Sequence, residues 1–143
     1  MKVTALIENT TPDQGLRCEH GLALCIVHRG WNCLLDAGAS AALLENAPKL
    51  GVDLTQVQAA VLSHGHYDHS GGFPAFLSCN TTAPVYLRPQ AAEANYQVRR
   101  DGERRYLGVP PALLAAKDRL RFRDPAPPRA GRGPRPPRAC CPS

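Results

Sequence analysis

The stretch Ser63-His64-Gly65-His66-Tyr67-Asp68-His69-Ser70-Gly71-Gly72 directly follows an apolar run, Val57-Gln58-Ala59-Ala60-Val61-Leu62. This pairing constrains the chain more than any other feature. A nearly unbroken apolar run of that length suits a strand buried on both faces of a sheet, and functional loops sit where such strands end. The histidine-rich segment is therefore expected at a sheet edge. With five His and seven Asp in 143 residues, the pattern His-x-His-x-Asp-His arises by chance in about two windows per million. Side chains alternate along extended backbone, so His64 and His66 face one side while Asp68 and His69 are free to turn toward a neighbouring position. Two adjacent half-sites result. Neutral imidazole and carboxylate are donors that zinc, iron and manganese accept, and no nearby cysteine is present to close a structural zinc site. The expected chemistry is an open, catalytic-type metal site, with zinc foremost and iron or manganese as alternatives. Histidines that merely cap a turn or bond to backbone would account for one ring but not for the cluster.

The length allows one domain with a modest core. No apolar run reaches the roughly eighteen residues of a membrane span, and Met1-Lys2-Val3-Thr4-Ala5-Leu6-Ile7-Glu8 meets a carboxylate too soon for a signal peptide. A cytoplasmic location is expected. Cys18, Cys25, Cys33 and Cys79 lack metal or redox spacing and are expected as buried free thiols; the adjacent Cys140 and Cys141 are expected to be exposed and oxidisable. The net charge of +5 divides unevenly: residues 1–87 carry four Lys/Arg against seven Asp/Glu, and residues 88–143 thirteen against five. No run of aromatic residues of the kind that stacks bases accompanies that basicity. The expected partner is a small-molecule substrate, not nucleic acid or membrane.

Taken in order, residues 2–8 read as a strand, 9–15 as a loop and 22–35 as a β-hairpin turning at Arg29-Gly30. The hairpin exits into Asp36-Ala37-Gly38. A carboxylate there either accepts a proton from a metal-ligating imidazole and fixes its ring or caps the turn or the next helix. Ser40 is the expected N-cap of a helix over 41–50, with Leu43, Leu44, Ala47 and Leu50 on one face and Pro48 breaking or kinking its last turn before Gly51. After the histidine loop, Phe73–Leu77 reads as a short helix, approached closely through the preceding glycines. Ala83–Leu87 reads as a strand, Pro89–Arg99 as a helix, Arg99–Arg105 as a solvated loop, and residues 112–123 as a last helix or strand. The final twenty residues hold seven of the fourteen Pro, and Arg129, Arg132, Arg135 and Arg138 recur every third position. Such a segment buries no apolar area and is expected to be disordered or PPII-like; its period is also what a GC-rich gene read out of frame produces. The expected organisation is a partial domain over 1–123 and a low-complexity tail over 124–143.

With these residues in view, the chain resembles the metallo-β-lactamase-fold hydrolases, whose metal loop has the form His-x-His-x-Asp-His after a buried strand. Asp36-Ala37-Gly38 is similar to that family's Asp-x-Gly position. More narrowly, Glu8-Asn9-Thr10, Glu19-His20-Gly21-Leu22, Leu35-Asp36-Ala37-Gly38 and the loop itself resemble the dihydropterin ribofuranosyl-aminobenzene-phosphate synthase branch. The resemblance implies an α/β fold, the N-terminal half of an αββα sandwich. It implies His64 and His66 on one metal, Asp68 and His69 on a second, and Asp68 orienting the attacking water; Asp36 and His20 would stand behind the ligands. The family pattern also calls for a further His on each metal and a bridging carboxylate downstream. No His follows His69. The chain is therefore expected to be the first half of such a domain, with weak metal binding and impaired hydrolase activity. The alternatives are a non-catalytic fragment or a half-domain completed by a partner, and self-association through an uncovered sheet.

Overall fold

The structure, a computed structural model, describes residues 1–124. In chain order the elements are β1 (Lys2–Ile7), β2 (Ala23–His28), β3 (Trp31–Leu35), α1 (Ala42–Lys49), β4 (Ala59–Val61), α2 (Tyr67–Ser70), α3 (Phe73–Cys79), β5 (Val85–Leu87), β6 (Tyr96–Val98), β7 (Arg104–Tyr106), α4 (Pro111–Ala115) and β8 (Leu120–Phe122). Single 3-10 turns stand at Leu54–Gln56, Pro89–Ala92 and Lys117–Arg119. The main sheet has the order β1-β2-β3-β4-β5-β8, antiparallel from β1 to β3 and parallel from β3 to β8. The two directions follow from the connections. Arg29 and Gly30 both take positive φ, 49° and 79°, giving a tight hairpin between β2 and β3. The parallel strands are instead joined by crossovers carrying α1, α2 with α3, and α4.

Pairing register places Cys25, Leu34, Ala60, Val85 and Leu120 in one row across five strands, and all five are buried. Leu43 and Ala47 of α1, Phe73 and Phe76 of α3, and Leu113 of α4 join the same core. Each large side chain removed from water there contributes about 1.5–3 kcal/mol. The alternate row, Leu24-Leu35-Val61-Tyr86, is only half-buried. The expectation that the β4 run would be buried on both faces is thus met on one face, because among the described residues the helices that join the core cover that face alone.

Three local expectations need correction. Pro89 starts only a single 3-10 turn, not a helix to Arg99. Asn95 donates through Nδ2 to the Gly65 and Glu93 carbonyls, at 3.1 and 3.3 Å, and the β-favouring Tyr96-Gln97-Val98 then pairs with Arg104–Tyr106. The polar run Arg99–Arg105 is exposed as expected but is not all loop: Arg104 and Arg105 belong to β7, and residues 99–103 form the tip of that hairpin, closed by Gly102 at φ 84° and an Arg99–Glu103 ion pair of 3.1 Å. Its tyrosines pack on each other, with ring centroids of Tyr96 and Tyr106 5.4 Å apart. Pro48 does not stop α1, which runs on to Lys49 and ends before Gly51 at φ 69°; its missing N–H forfeits the one bond to the Leu44 carbonyl. Among the cysteines, Cys25 is buried and Cys33 and Cys79 are half-buried free thiols whose pKa values burial raises, whereas Cys18 is exposed on the loop before β2. Cys140, Cys141 and the Arg-Pro repeat lie outside the described residues. Residues 112–123 contain both alternatives, the end of α4 and then β8. Among the described residues no helix is long and apolar enough to cross a membrane.

Two buried asparagines join the layers. Asn46 donates to the Leu6 and Arg17 carbonyls at 2.7 Å each and so fixes α1 to β1. Asn80 donates to the Leu54 and Val57 carbonyls and accepts from the Ala83 N–H, at 2.9, 2.9 and 2.8 Å, holding the entrances of β4 and β5 together. Removing a partner from a buried polar group costs its desolvation. Asn80→Ala is therefore expected to lose about 3 kcal/mol of stability, read as a lower urea midpoint at unchanged slope.

Candidate functional site

The site forms where β3 and β4 end side by side. Leu62 donates to the Tyr86 carbonyl at 2.9 Å, extending the sheet one residue, and at Ser63 the chain leaves it. The chain bends at His64 and Gly65 and is extended at His66, and α2 then carries Asp68 and His69. Gly71 and Gly72 let the loop lie directly on the end of β3: a Cβ at either would overlap the carbonyl oxygen of Ala39 or Ala37. The Ala37 N–H donates to the His69 carbonyl at 2.8 Å, sealing this contact.

Asp36 is the hub. At φ 56° it occupies the left-handed region that Asp tolerates better than most residues. The chain turns sharply there and the carboxylate enters the loop, buried to 1% exposure. Oδ1 accepts from the Ser63 N–H at 2.7 Å; Oδ2 accepts from the Ser63 hydroxyl at 2.6 Å and from His69 Nδ1 at 2.7 Å. Three donors offset the cost of burying this charge. The tautomers follow. A carboxylate only accepts, so His69 carries its proton on Nδ1 and offers the Nε2 lone pair. The single Ser63 hydroxyl proton goes to Asp36, so Ser63 Oγ accepts from His64 Nδ1 at 2.9 Å, and His64 also offers Nε2. Of the two roles open to Asp36, the contacts match the one in which it fixes the His69 ring.

His64 lies 4.8 Å from His66 and 4.2 Å from His69, centroid to centroid. Asp68 Oδ2 is 3.6 Å from His69 Nε2 and 3.3 Å from His20 Nε2. His20 thus stands at the loop and not out in solvent away from it, although most of its side chain is exposed. It is placed there by its neighbours. The Gly21 N–H donates to Asn9 Oδ1 at 3.0 Å, and a Cβ on Gly21 would overlap the Asp68 carbonyl oxygen. Two participants were not apparent from the sequence. Ser63 links Asp36 to His64, and no pattern marks a serine for that. Glu19 accepts from the Ala39 and Ser40 N–H groups at 2.9 Å each and from the Ser40 hydroxyl at 2.6 Å, so it holds the turn after Asp36. Ser40 Oγ in turn accepts from the Ala42 N–H at 3.1 Å, but it is not the expected N-cap: α1 starts one residue later, so Ala41 holds that position without a side-chain cap bond.

In kind, these donors suit zinc: neutral imidazoles with Nδ1 occupied and Nε2 free, beside a carboxylate. In number they fall short. Among the described residues no group of three or more His, Cys, Asp or Glu side chains is arranged to hold one ion. A cleft of about 430 Å³ opens beside His64 and His66, with Arg88, Gln90 and Asn95 on its far wall. A second cleft, about 480 Å³ between α1 and the Leu54–Gln56 turn, is lined mainly by apolar groups, and its one carboxylate, Asp53, is bonded to Thr55.

Burial, reinforced by the neighbouring His69 and His66, holds the His64 pKa below its ordinary 6.5. Between the folded value and 6.5 the unfolded chain binds the extra proton, so this contribution to stability is whole above 6.5 and is lost as pH falls through the folded value. His64→Gln is expected to flatten the acid limb of the melting temperature against pH below 6.5 and leave the neutral limb parallel to wild type.

A family model, the metallo-beta-lactamase superfamily, matches residues 17–138. Among solved structures the chain is similar to the MIM-2 metallo-beta-lactamase at 30% identity, covering 51% of this chain and 28% of that one, with a TM-score of 0.45. It is similar to MEM-A1, a subclass B3 metallo-beta-lactamase from a soil metagenome library, at 23% identity, covering 73% and 40% with a TM-score of 0.50. It is also similar to the metallo-beta-lactamase GOB-18 from Elizabethkingia meningoseptica, at 25% identity over 50% and 27% with a TM-score of 0.44. The chain spans 27% to 40% of the length of these proteins. No curated protein matches it significantly. The match over residues 17–138, most of the chain, agrees with a mixed α/β sheet that delivers the histidine loop at its edge, and on it the chain belongs to the metallo-β-lactamase superfamily.

Proposed function

We propose that this chain carries the metal-loop half of a metal-dependent hydrolase, with zinc the preferred ion, and that its own residues hold metal only weakly. The observation that carries the reading is the contact of His69 Nδ1 with the buried Asp36 at 2.7 Å, which orients an imidazole for ligation where Asp68 and His64 converge. His64 and His66 would hold one ion, and Asp68 and His69 a second. When bound, zinc supplies Lewis acidity and acidifies an attacking water toward neutrality. Asp68 would orient that water; its Oδ2 faces both His69 and His20. An ester, lactone, phosphate or amide centre is the substrate class. Two ligands per ion retain metal less well than three. After loading with zinc and exhaustive dialysis, elemental analysis is expected to find well under one ion per chain; close to two retained ions would overturn the weak-site reading.

The narrower dihydropterin ribofuranosyl-aminobenzene-phosphate synthase-like reading, a transferase, draws support from one set of contacts. The stretches that suggested it, around Asn9, Glu19 to Gly21 and Asp36, meet at the metal loop through the Asn9–Gly21, Glu19–Ser40 and Gly21–Asp68 contacts. Four described cysteines as free thiols suit the proposed cytoplasmic location.

A second reading, a half-domain completed by association, is favoured by the half-buried Leu24-Leu35-Val61-Tyr86 row and by Val3, which is 51% exposed on the edge strand. Apolar rows beside a free strand edge favour pairing with a second copy. Sedimentation velocity is expected to show concentration-dependent dimers or larger species. A monomer across the concentration range with a cooperative melt would contradict self-association.

A further inference from the structure

The cleft beside His64 and His66 is built by two loops that leave the sheet at the same edge, because β4 and β5 are parallel neighbours. The second loop begins at Arg88, directly after β5, and is fastened to the first. A Cβ at Gly65 would overlap the Ala91 carbonyl oxygen, so the Pro89–Ala92 turn lies flat on the histidine loop. Asn95 Nδ2 donates to the Gly65 carbonyl at 3.1 Å, the Leu107 N–H to the Asn95 carbonyl at 2.8 Å, and the Tyr67 N–H to the Leu107 carbonyl at 2.9 Å. This clamp fixes the far wall of the cleft against the imidazoles. Its lining holds no carboxylate, and the one residue of fixed positive charge in it is Arg88.

Most other arginines between residues 99 and 123 have partners. Arg119 donates to the Ala83 and Asn80 carbonyls and Arg121 to those of Asp118 and Leu120. Arg104 and Arg105 lie over the rings of Tyr96 and Tyr67, at 4.4 and 5.6 Å. Arg88 is exposed and, among the described residues, takes part in no ion pair. A guanidinium that lines an acid-free cleft of about 430 Å³ and makes no side-chain hydrogen bond among the described residues offers the fork of donors that takes a planar or tetrahedral oxyanion in bidentate fashion. The volume suits a small organic molecule.

We infer that this cleft binds an organic anion, with Arg88 taking a carboxylate or phosphate and the rest of the molecule reaching His64 and His66. Its identity as a substrate site rests on the hydrolase reading; the anion site itself does not. The substrate is then an acidic small molecule whose hydrolysable centre lies a few bonds from its charge, and Arg88 selects it over neutral analogues.

The test is a titration of the metal-free, full-length chain, ¹⁵N-labelled and at fixed ionic strength, with phenyl phosphate, with benzoate and with neutral benzyl alcohol, followed by amide NMR. Saturable shifts confined to residues 63–66 and 88–95 are expected for at least one anion, and whichever of the two binds identifies the oxyanion recognised. Benzyl alcohol is expected to give none. Arg88→Gln should weaken binding about tenfold, while Arg100→Gln at the hairpin tip should leave it unchanged. Because Arg88 is exposed, the variant is expected to keep the wild-type spectrum elsewhere. Non-saturating shifts spread over many arginines, or equal affinity in Arg88→Gln, would overturn the inference. The two proposals fail separately: saturable anion binding without zinc uptake leaves the anion site standing and removes the metal reading. Zinc uptake without anion shifts does the reverse.

Discussion

Everything at the sheet edge depends on the carboxylate of Asp36. One buried charge accepts from a backbone N–H and a hydroxyl at Ser63 and from the His69 imidazole, so it sets where the loop leaves β4, how α2 is oriented and which nitrogen each of two histidines presents. Such a charge is tolerable only while all three donors stay in place. The loop and the end of β3 are therefore one unit, closed by Gly71 and Gly72 on the Ala37 and Ala39 carbonyls and by Glu19 on the following turn.

The parts of this arrangement written in the sequence are those with a local physical signature. The apolar run before Ser63 specified a strand, the apolar runs on either side of Arg29-Gly30 specified the hairpin 22–35, and the density of His and Asp in six residues marked the loop that the fold brings to the sheet edge. The position of Asp36 at a strand end was readable, but not its purpose; only the parallel pairing of β3 with β4, which brings the end of β3 beside Ser63, selects imidazole orientation over turn capping. Ser63 and Glu19 were hidden for the same reason, since their partners lie 27 and about 20 residues away. The expected helix after Pro89 failed because tertiary pairing of Tyr96–Val98 with Arg104–Tyr106 outweighs helix propensity, which is a weak prior. Gly65 reads in sequence as a spacer, yet the contact it allows with Ala91 decides the shape of the cleft.

The ligand count and the sheet pull the same way. The chain offers donors of the right kind with too few of them converging, and a sheet with one face packed and the other half-covered. Both are features of one edge, where the loop after β4 leaves the sheet beside the end of β3. Family membership fixes the architecture that delivers the loop. The substrate is left to the second loop, where Arg88 stands.

The most direct measurement of the central role of Asp36 is the tautomeric state of the imidazoles, read from long-range ¹H–¹⁵N correlations of the metal-free chain above neutral pH. His69 and His64 are expected with the proton on Nδ1 and the lone pair on Nε2, and Asp36→Asn should release His69 into a mixture. His69 found with its proton on Nε2, or an unchanged tautomer in Asp36→Asn, would contradict Asp36 as the group that prepares the site for metal.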